Sequence, residues 1–324
     1  MEKVLIHIGL HKTGTTWLQN ELFIPESNVF EPLYQSNTSN GHSTLAENFV
    51  FDNDMNLLSP YDYNTEIIEK AFQSILKKKD NINKTFVMSH ERLSGHPTSS
   101  GFDSAIIANR IKNTFPSGKI LVVLREQVSC ILSNYFQYLK EGGTLGLKNF
   151  LNTKYDGRKP GFCSNYFKYH YLISYYQKTF GENNVLVLPY ELLSTNKAKF
   201  IDILSGFLDE KIISETIKFN KKYNVNKNYY VEYKFRFLNN YIKSSSSLNN
   251  STKLKIYRLK RIAKKTKLIL NYITPARFNV TTKRKLEKEI QKWSVGRFEE
   301  SNKISNTLVN IDLEEFGYLT VKKK

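Results

Sequence analysis

Only two of the 324 residues are cysteines, Cys130 and Cys163. So few thiols give no disulfide framework and fit a reducing compartment. No Cys/His spacing reads as a zinc site, so no metal is expected. No run of about 18 apolar residues is present, which excludes a membrane-spanning helix. Met1-Glu2-Lys3 leads directly into a strand and not into a signal peptide. These absences point to a cytoplasmic protein, with peripheral contact at the inner membrane left open. No internal repeat and no clear linker interrupt the chain, so residues 1–324 are expected to form one domain. With 40% hydrophobic and 13% aromatic residues it is globular and can bury a substantial core. Acidic residues are scarce in one stretch only. Residues 221–292 hold 20 Lys/Arg against 3 Asp/Glu, whereas the rest of the chain holds 28 against 27. The formal charge of +18 therefore belongs to one segment and not to the whole fold.

At the other end lies the stretch that organises the chain, VLIHIGLHKTGTTWLQ from Val4 to Gln19. The apolar VLIHIG reads as a buried strand, and Trp17, Leu18 and Leu22 recur at helical spacing. Between them is a turn of Gly, Thr and Lys. A strand, a glycine turn and a helix start make a phosphate cradle, because free backbone N–H groups and the helix dipole both favour an anion. Against the nucleotide pattern G-x-x-x-x-G-K-[ST], Gly9, Gly14 and Thr16 fit, but the lysine place holds Thr15. The available cation is Lys12, three residues upstream.

Further along, helical and strand patterns alternate. Residues 24–64 read as irregular and as part of an acceptor cleft. A helix is predicted over 65–79, a strand over 85–89, a helix over Asp103–Phe115 and a strand over 119–124 ending at Arg125. Helices over Gln127–Glu141 and Asn165–Phe180, a strand over 184–190 and a helix over Asn196–Leu208 follow. This alternation predicts a central parallel β-sheet with helices on both faces and a site at the strands' C-terminal ends. Beyond Lys221 the chain reads as a basic, mostly helical elaboration. It comprises a serine-rich loop (244–252), an amphipathic helix (253–273) and a last helix starting near TTKRKLEKEIQKW.

A second anion motif lies in LVVLREQVSCILSNYFQ. Arg125 ends a strand beside a helix N-terminus, which suits a phosphomonoester, and Ser133 follows two helical turns on. HKTGTTWLQ resembles the 5′-phosphosulfate loop of sulfotransferases that use 3′-phosphoadenosine-5′-phosphosulfate (PAPS). Arg125 with Ser133 resembles the same family's 3′-phosphate motif, although Gln127 stands where many members have proline. The resemblance extends over the whole layout and implies a P-loop-kinase-like three-layer fold. It implies that His11, Lys12, Thr13, Gly14, Thr15, Thr16, Trp17, Arg125 and Ser133 bind PAPS without a metal. It also implies that a glycan or glycolipid hydroxyl is the acceptor. Asn226 and Lys227 lie where members place a late cofactor-contacting loop.

Lys12 is the candidate for neutralising charge on the leaving phosphate. For the base, Glu91 and His90 both follow the second predicted strand, and alternation along an extended chain turns only one of them toward the cleft. Ser-x-Glu-x-Leu resembles bacterial members that use the glutamate, so Glu91 is preferred; His11 is a third candidate. His7 reads as a core histidine, and Arg92 as either a cofactor ligand or a surface charge.

Two rival readings stand beside this one. A P-loop kinase would need a lysine at Thr15 and an acidic magnesium ligand. A nucleic-acid binder would use Tyr229, Tyr230, Tyr233 and Tyr257 for stacking within the basic run; no specific nucleic acid is expected. The basic segment is read as solvated surface, or as a site for an anionic glycan, an anionic membrane or the adenosine phosphates.

Overall fold

The computed structural model describes residues 3–33, 44–52, 56–61, 63, 65–77, 83–153, 161–213, 217–221, 223, 228–241 and 257–321. Asn226, Lys227 and the stretch 244–252 lie outside the described residues.

Five strands form one parallel sheet: β1 (Val4–His7), β2 (Phe30–Pro32), β3 (Thr85–Ser89), β4 (Lys119–Leu124) and β5 (Val185–Pro189), in the order β2-β3-β1-β4-β5. The strands read as nearly unbroken apolar runs because both faces of the sheet are covered, as parallel sheets require. Ile6, Met88, Ile120, Val122 and Val187 face one core, and Leu5, Val87, Leu121, Val123 and Leu188 face the other.

The helices fall into two layers. The short α1 (Thr15–Trp17) runs on as a wider turn over Leu18–Leu22. With α8 (Tyr190–Thr195) and α9 (Lys197–Leu208) it covers the second core. The first core is covered by α2 (Thr44–Glu47), α3 (Glu66–Lys77), α4 (Ser104–Thr114), α5 (Gln127–Lys140), α6 (Leu147–Leu151) and α7 (Tyr169–Phe180). The C-terminal part supplies α10 (Tyr229–Lys234), α11 (Tyr257–Ile273), α12 (Ala276–Ser294) and α13 (Glu299–Thr307). Leu286 and Ile290 of α12 enter the first core, and α10 and α12 both pack on α5. Among the described residues, no helix is long and apolar enough to cross a membrane.

Three expectations need correcting. The stretch read as irregular contains β2, a three-residue edge strand paired with β3. So short a strand, ending in Pro32, has no alternation to detect, and pairing alone defines it. The helix expected over Asn165–Phe180 begins only at Tyr169, after a tight turn over Ser164–Phe167. Phe167 and Tyr169 are both fully buried, and Lys168 (φ −85°, ψ 81°) breaks the helix between them so that both face inward. The last helix starts at Ala276, after Pro275, and a further helix, α13, comes after Gly296 (φ 75°).

Candidate functional site

β1 lies between β3 and β4, so their three C-terminal ends are neighbours about 4.8 Å apart. That order alone brings the Gly9–Gly14 turn, the His90-Glu91 pair and Arg125 to one edge.

The turn is anchored to β4 by Ile8 N–H to the Leu121 carbonyl (3.0 Å) and Leu10 N–H to the Val123 carbonyl (3.4 Å). Lys12 has φ 71° and Gly14 φ 87°, so two left-handed residues curl the chain around its own amides. A Cβ at Gly9 would collide with the His7 imidazole, and one at Gly14 would sit 2.9 Å from Leu193. Gly14 starts α1, and its carbonyl accepts from Trp17 N–H (2.9 Å) and Leu18 N–H (3.1 Å). The Thr13 hydroxyl donates to the Leu10 carbonyl (2.5 Å) and braces the turn. Thr15 Oγ1 is buried with no hydrogen-bond partner among the described residues. Trp17 is buried in the second core with Leu18, and Thr16 is half-buried at the start of the helix.

Lys12 extends toward α5, where Nζ donates to Gln137 Oε1 (2.8 Å), and Gln137 in turn donates to Glu141 (2.6 Å). Burial lowers the Lys12 pKa below the usual ammonium value; nearby Glu91 opposes that shift. Arg125 joins the two motifs. Its Nη1 donates to the Lys12 carbonyl (2.7 Å), its Nε to Ser129 Oγ (3.2 Å), and its guanidinium stacks 4.9 Å from the Tyr190 ring centre. Arg125, Ser129, Ser133 and Gln137 recur at four-residue spacing, so they share one side of the chain entering and running along α5. Arg125 and Ser133 stand out in the sequence as an anion motif, and the same four-residue spacing marks Ser129 and Gln137. Gln127, in the place where proline is common, is buried and donates to Asn302 Oδ1 of α13 (2.6 Å).

After β3, the backbone N–H of His90 donates to the His7 carbonyl (3.2 Å). His90 Nδ1 accepts from Arg92 N–H (3.1 Å), which puts the proton of a neutral ring on Nε2, 3.9 Å from Glu47. Glu91 is partly exposed, with Oε1 4.0 Å from His11 Nε2. His11 is buried, its ring 4.7 Å from that of His96, and its pKa lies well below the usual imidazole value through burial and then the adjacent His96. Burial, and then the charge of Arg92, lowers His96 as well, so both rings favour the neutral form. His7 is a core histidine, bonded through Nδ1 to Ser89 Oγ (2.8 Å). Arg92 forms a bidentate pair with Asp103, its Nη1 3.1 Å from Oδ1, so its guanidinium is committed inside the protein. His170, at the start of α7, bonds Ser301 of α13 (2.8 Å).

A family model described as a sulfotransferase domain matches residues 2–288. Among solved structures, the chain is similar to a sulfotransferase from Alicyclobacillus acidocaldarius. That match has 14% identity and TM-score 0.47 and covers 81% of this chain and 100% of that one. It is also similar to a mouse sulfotransferase complexed with PAP, at 13% identity and TM-score 0.40, over 94% of this chain and 88% of that one. A sulfotransferase domain from the curacin biosynthetic pathway matches at 14% identity and TM-score 0.42, over 90% and 98%. Comparison with curated proteins returns no match.

Proposed function

Given that the chain belongs to the sulfotransferase family, we propose that it transfers the sulfuryl group of PAPS to a hydroxyl of a glycan or glycolipid. The observation that carries the donor assignment is the 2.7 Å bond from Arg125 to the Lys12 carbonyl. It makes one anion-binding edge out of two motifs that are far apart in sequence. The donor set suits a nucleotide that is anionic at both ends. Lys12, the turn amides, the unpartnered Thr15 hydroxyl and Thr16 would hold the 5′-phosphosulfate. Arg125 and Ser133 would hold the 3′-phosphate, with Gly14 and Trp17 shaping the helix start and Thr13 bracing the turn. The acceptor class rests on the family resemblance.

PAPS supplies an activated sulfuryl group. Lys12 balances negative charge that grows on the departing phosphate, so it stabilises the transition state more than the ground state. Glu91 removes the acceptor proton. The geometry favours it over His90, whose Nδ1 is engaged by Arg92 and whose Nε2 presents a proton. It also favours Glu91 over His11, which lies below the surface.

Calorimetry without magnesium tests this reading. 3′-Phosphoadenosine-5′-phosphate is expected to bind, and ATP to bind much more weakly. Arg125→Ala should cost the 3′-phosphorylated ligand about 2–4 kcal/mol. It should cost adenosine 5′-phosphosulfate only about 1 kcal/mol, for the bond to Lys12. Equal losses would show that Arg125 does not read the 3′-phosphate. Tight ATP binding that appears once magnesium is added back would favour a kinase. Turnover against a panel of hydroxyl acceptors tests the acceptor class.

A further inference from the structure

We propose that the outer face of α11 docks on the surface of an anionic phospholipid bilayer. This helix leaves an unusual set of side chains in solvent. Ile262 is 58% exposed, Leu268 73%, Ile269 58%, Tyr272 92% and Ile273 62%. At about 100° per residue, these five fall on one side of the helix, interleaved with exposed Arg261, Lys264 and Lys265. The opposite side is secured. Lys267 Nζ bonds Glu232 of α10 (2.9 Å) and Asn239 Oδ1 (2.9 Å), and Asn239 donates to the Leu139 and Gly143 carbonyls at the end of α5. The apolar face is thus turned outward by the packing of the inner one. Just beyond α11, Phe278 and Val280 of α12 are also exposed, beside Arg277.

Charge complementarity and apolar exposure together select the partner. A solvated surface has no use for five large apolar side chains on one helix face. A sulfated or uronic polysaccharide would use the lysines but not the isoleucines. A nucleic acid would use Tyr272 as a stacking platform but would leave the four aliphatic side chains beside it without a role, and it would want further aromatics free. Tyr229 instead packs edge-on against Phe136 (4.7 Å), Tyr233 lies beside Tyr135 and under Arg236, and Tyr230 packs on Phe278. A bilayer interface takes both components, with apolar groups entering the acyl boundary and Lys/Arg meeting the headgroups. Through Asn239, the inner side of α11 is tied to α5, the helix whose Gln137 holds Lys12.

The test is vesicle co-sedimentation of the full chain, which needs no turnover and so can fail independently of the donor assignment. Vesicles of phosphatidylcholine with phosphatidylglycerol should bind the protein, phosphatidylcholine alone should bind far less, and high salt should release it. Leu268→Ser with Tyr272→Ser should weaken binding about tenfold or more, and Lys264→Glu with Lys265→Glu should remove the preference for anionic lipid. All four positions are solvent-exposed, so unchanged melting serves as the control. The proposal is overturned if wild-type protein ignores both vesicles, if it binds them equally, or if both variants bind as wild type does. Retention on heparin or RNA without vesicle binding would assign the face to a polyanion. A dimer abolished by Leu268→Ser and Tyr272→Ser, without vesicle binding, would assign it to a second copy.

Discussion

Lys12 sits in a left-handed conformation that costs a non-glycine residue about 1 kcal/mol, which points its ammonium along α5 instead of into solvent. If it balances charge on the leaving phosphate, Lys12→Ala should lower kcat by about 10²–10³ in steady-state assays. Glu91→Gln keeps shape but cannot take a proton, so kcat should fall by about 10²–10⁴ with nucleotide affinity intact. His90→Asn is the control: if it abolishes turnover while Glu91→Gln retains it, the base is the histidine. The buried histidines make a separate prediction. Burial brings His7 from 6.5 down to about 3, and burial followed by the charge of Arg92 brings His96 down to about 4. Between pH 6.5 and 4 the unfolded chain therefore binds more protons than the folded one, and stability falls as pH falls. Each such group contributes about 1.4 kcal/mol per pH unit in that window. His96→Gln should flatten the acid limb of a urea-denaturation series by about that amount. An unchanged slope would mean that His96 titrates alike in both states.

At the scale of elements, α5 carries most of the site's wiring. Glu126 caps it, its carboxylate accepting from Val128 N–H (2.7 Å) and Ser129 N–H (2.9 Å). Arg125 precedes the cap, Ser129 and Gln137 contact the two cations, and Gln127 ties the helix to α13. Glu126→Ala leaves two amides at the helix start without these acceptors. It should cost about 1–2 kcal/mol in the urea midpoint and weaken nucleotide binding by loosening Arg125. A loss in stability with no change in affinity would show that the cap and the site are independent. The four-residue rhythm from Arg125 to Gln137 was legible in the sequence. Which rung meets Lys12 was not, because that depends on how α5 lies beside the loop of another strand.

For the molecule as a whole, the family match ends at residue 288, yet the core closes only with residues nearer the C-terminus. Phe298, Leu313 and Tyr318 are buried in it, and the Tyr318 hydroxyl donates to Glu191 (3.2 Å), whose other oxygen accepts from Glu126 N–H (3.1 Å). The tail thus reaches the element that starts α5. Tyr318→Ala should lower global stability by about 3–5 kcal/mol. Tyr318→Phe should lower it by only about 1 kcal/mol, both read by chemical denaturation. Equal losses would mean that the hydroxyl, not the ring, matters most. The charge asymmetry also belongs to this scale. The excess of lysine and arginine over 221–292 was plain in the sequence, but α12 within it supplies core residues Leu286 and Ile290, so it is not merely an appendage.

Local sequence was enough to give the parallel-strand core, the glycine turn after β1 and the arginine at the end of β4. Those features are local: a continuous apolar run, a glycine spacing and an arginine at a strand end each arise from a few adjacent residues. The remaining features depend on which surfaces meet, and so only the folded chain shows them. Tertiary structure made a strand of Phe30–Pro32 by pairing and broke the helix at Lys168 so that Phe167 and Tyr169 could both be buried. Arg92, left open as a cofactor ligand or a surface charge, became the partner of Asp103, and His90 was engaged by a backbone amide. The same packing left the Ile262–Ile273 face of α11 in solvent, since, among the described residues, Lys267 on its inner side is held by Glu232 and Asn239.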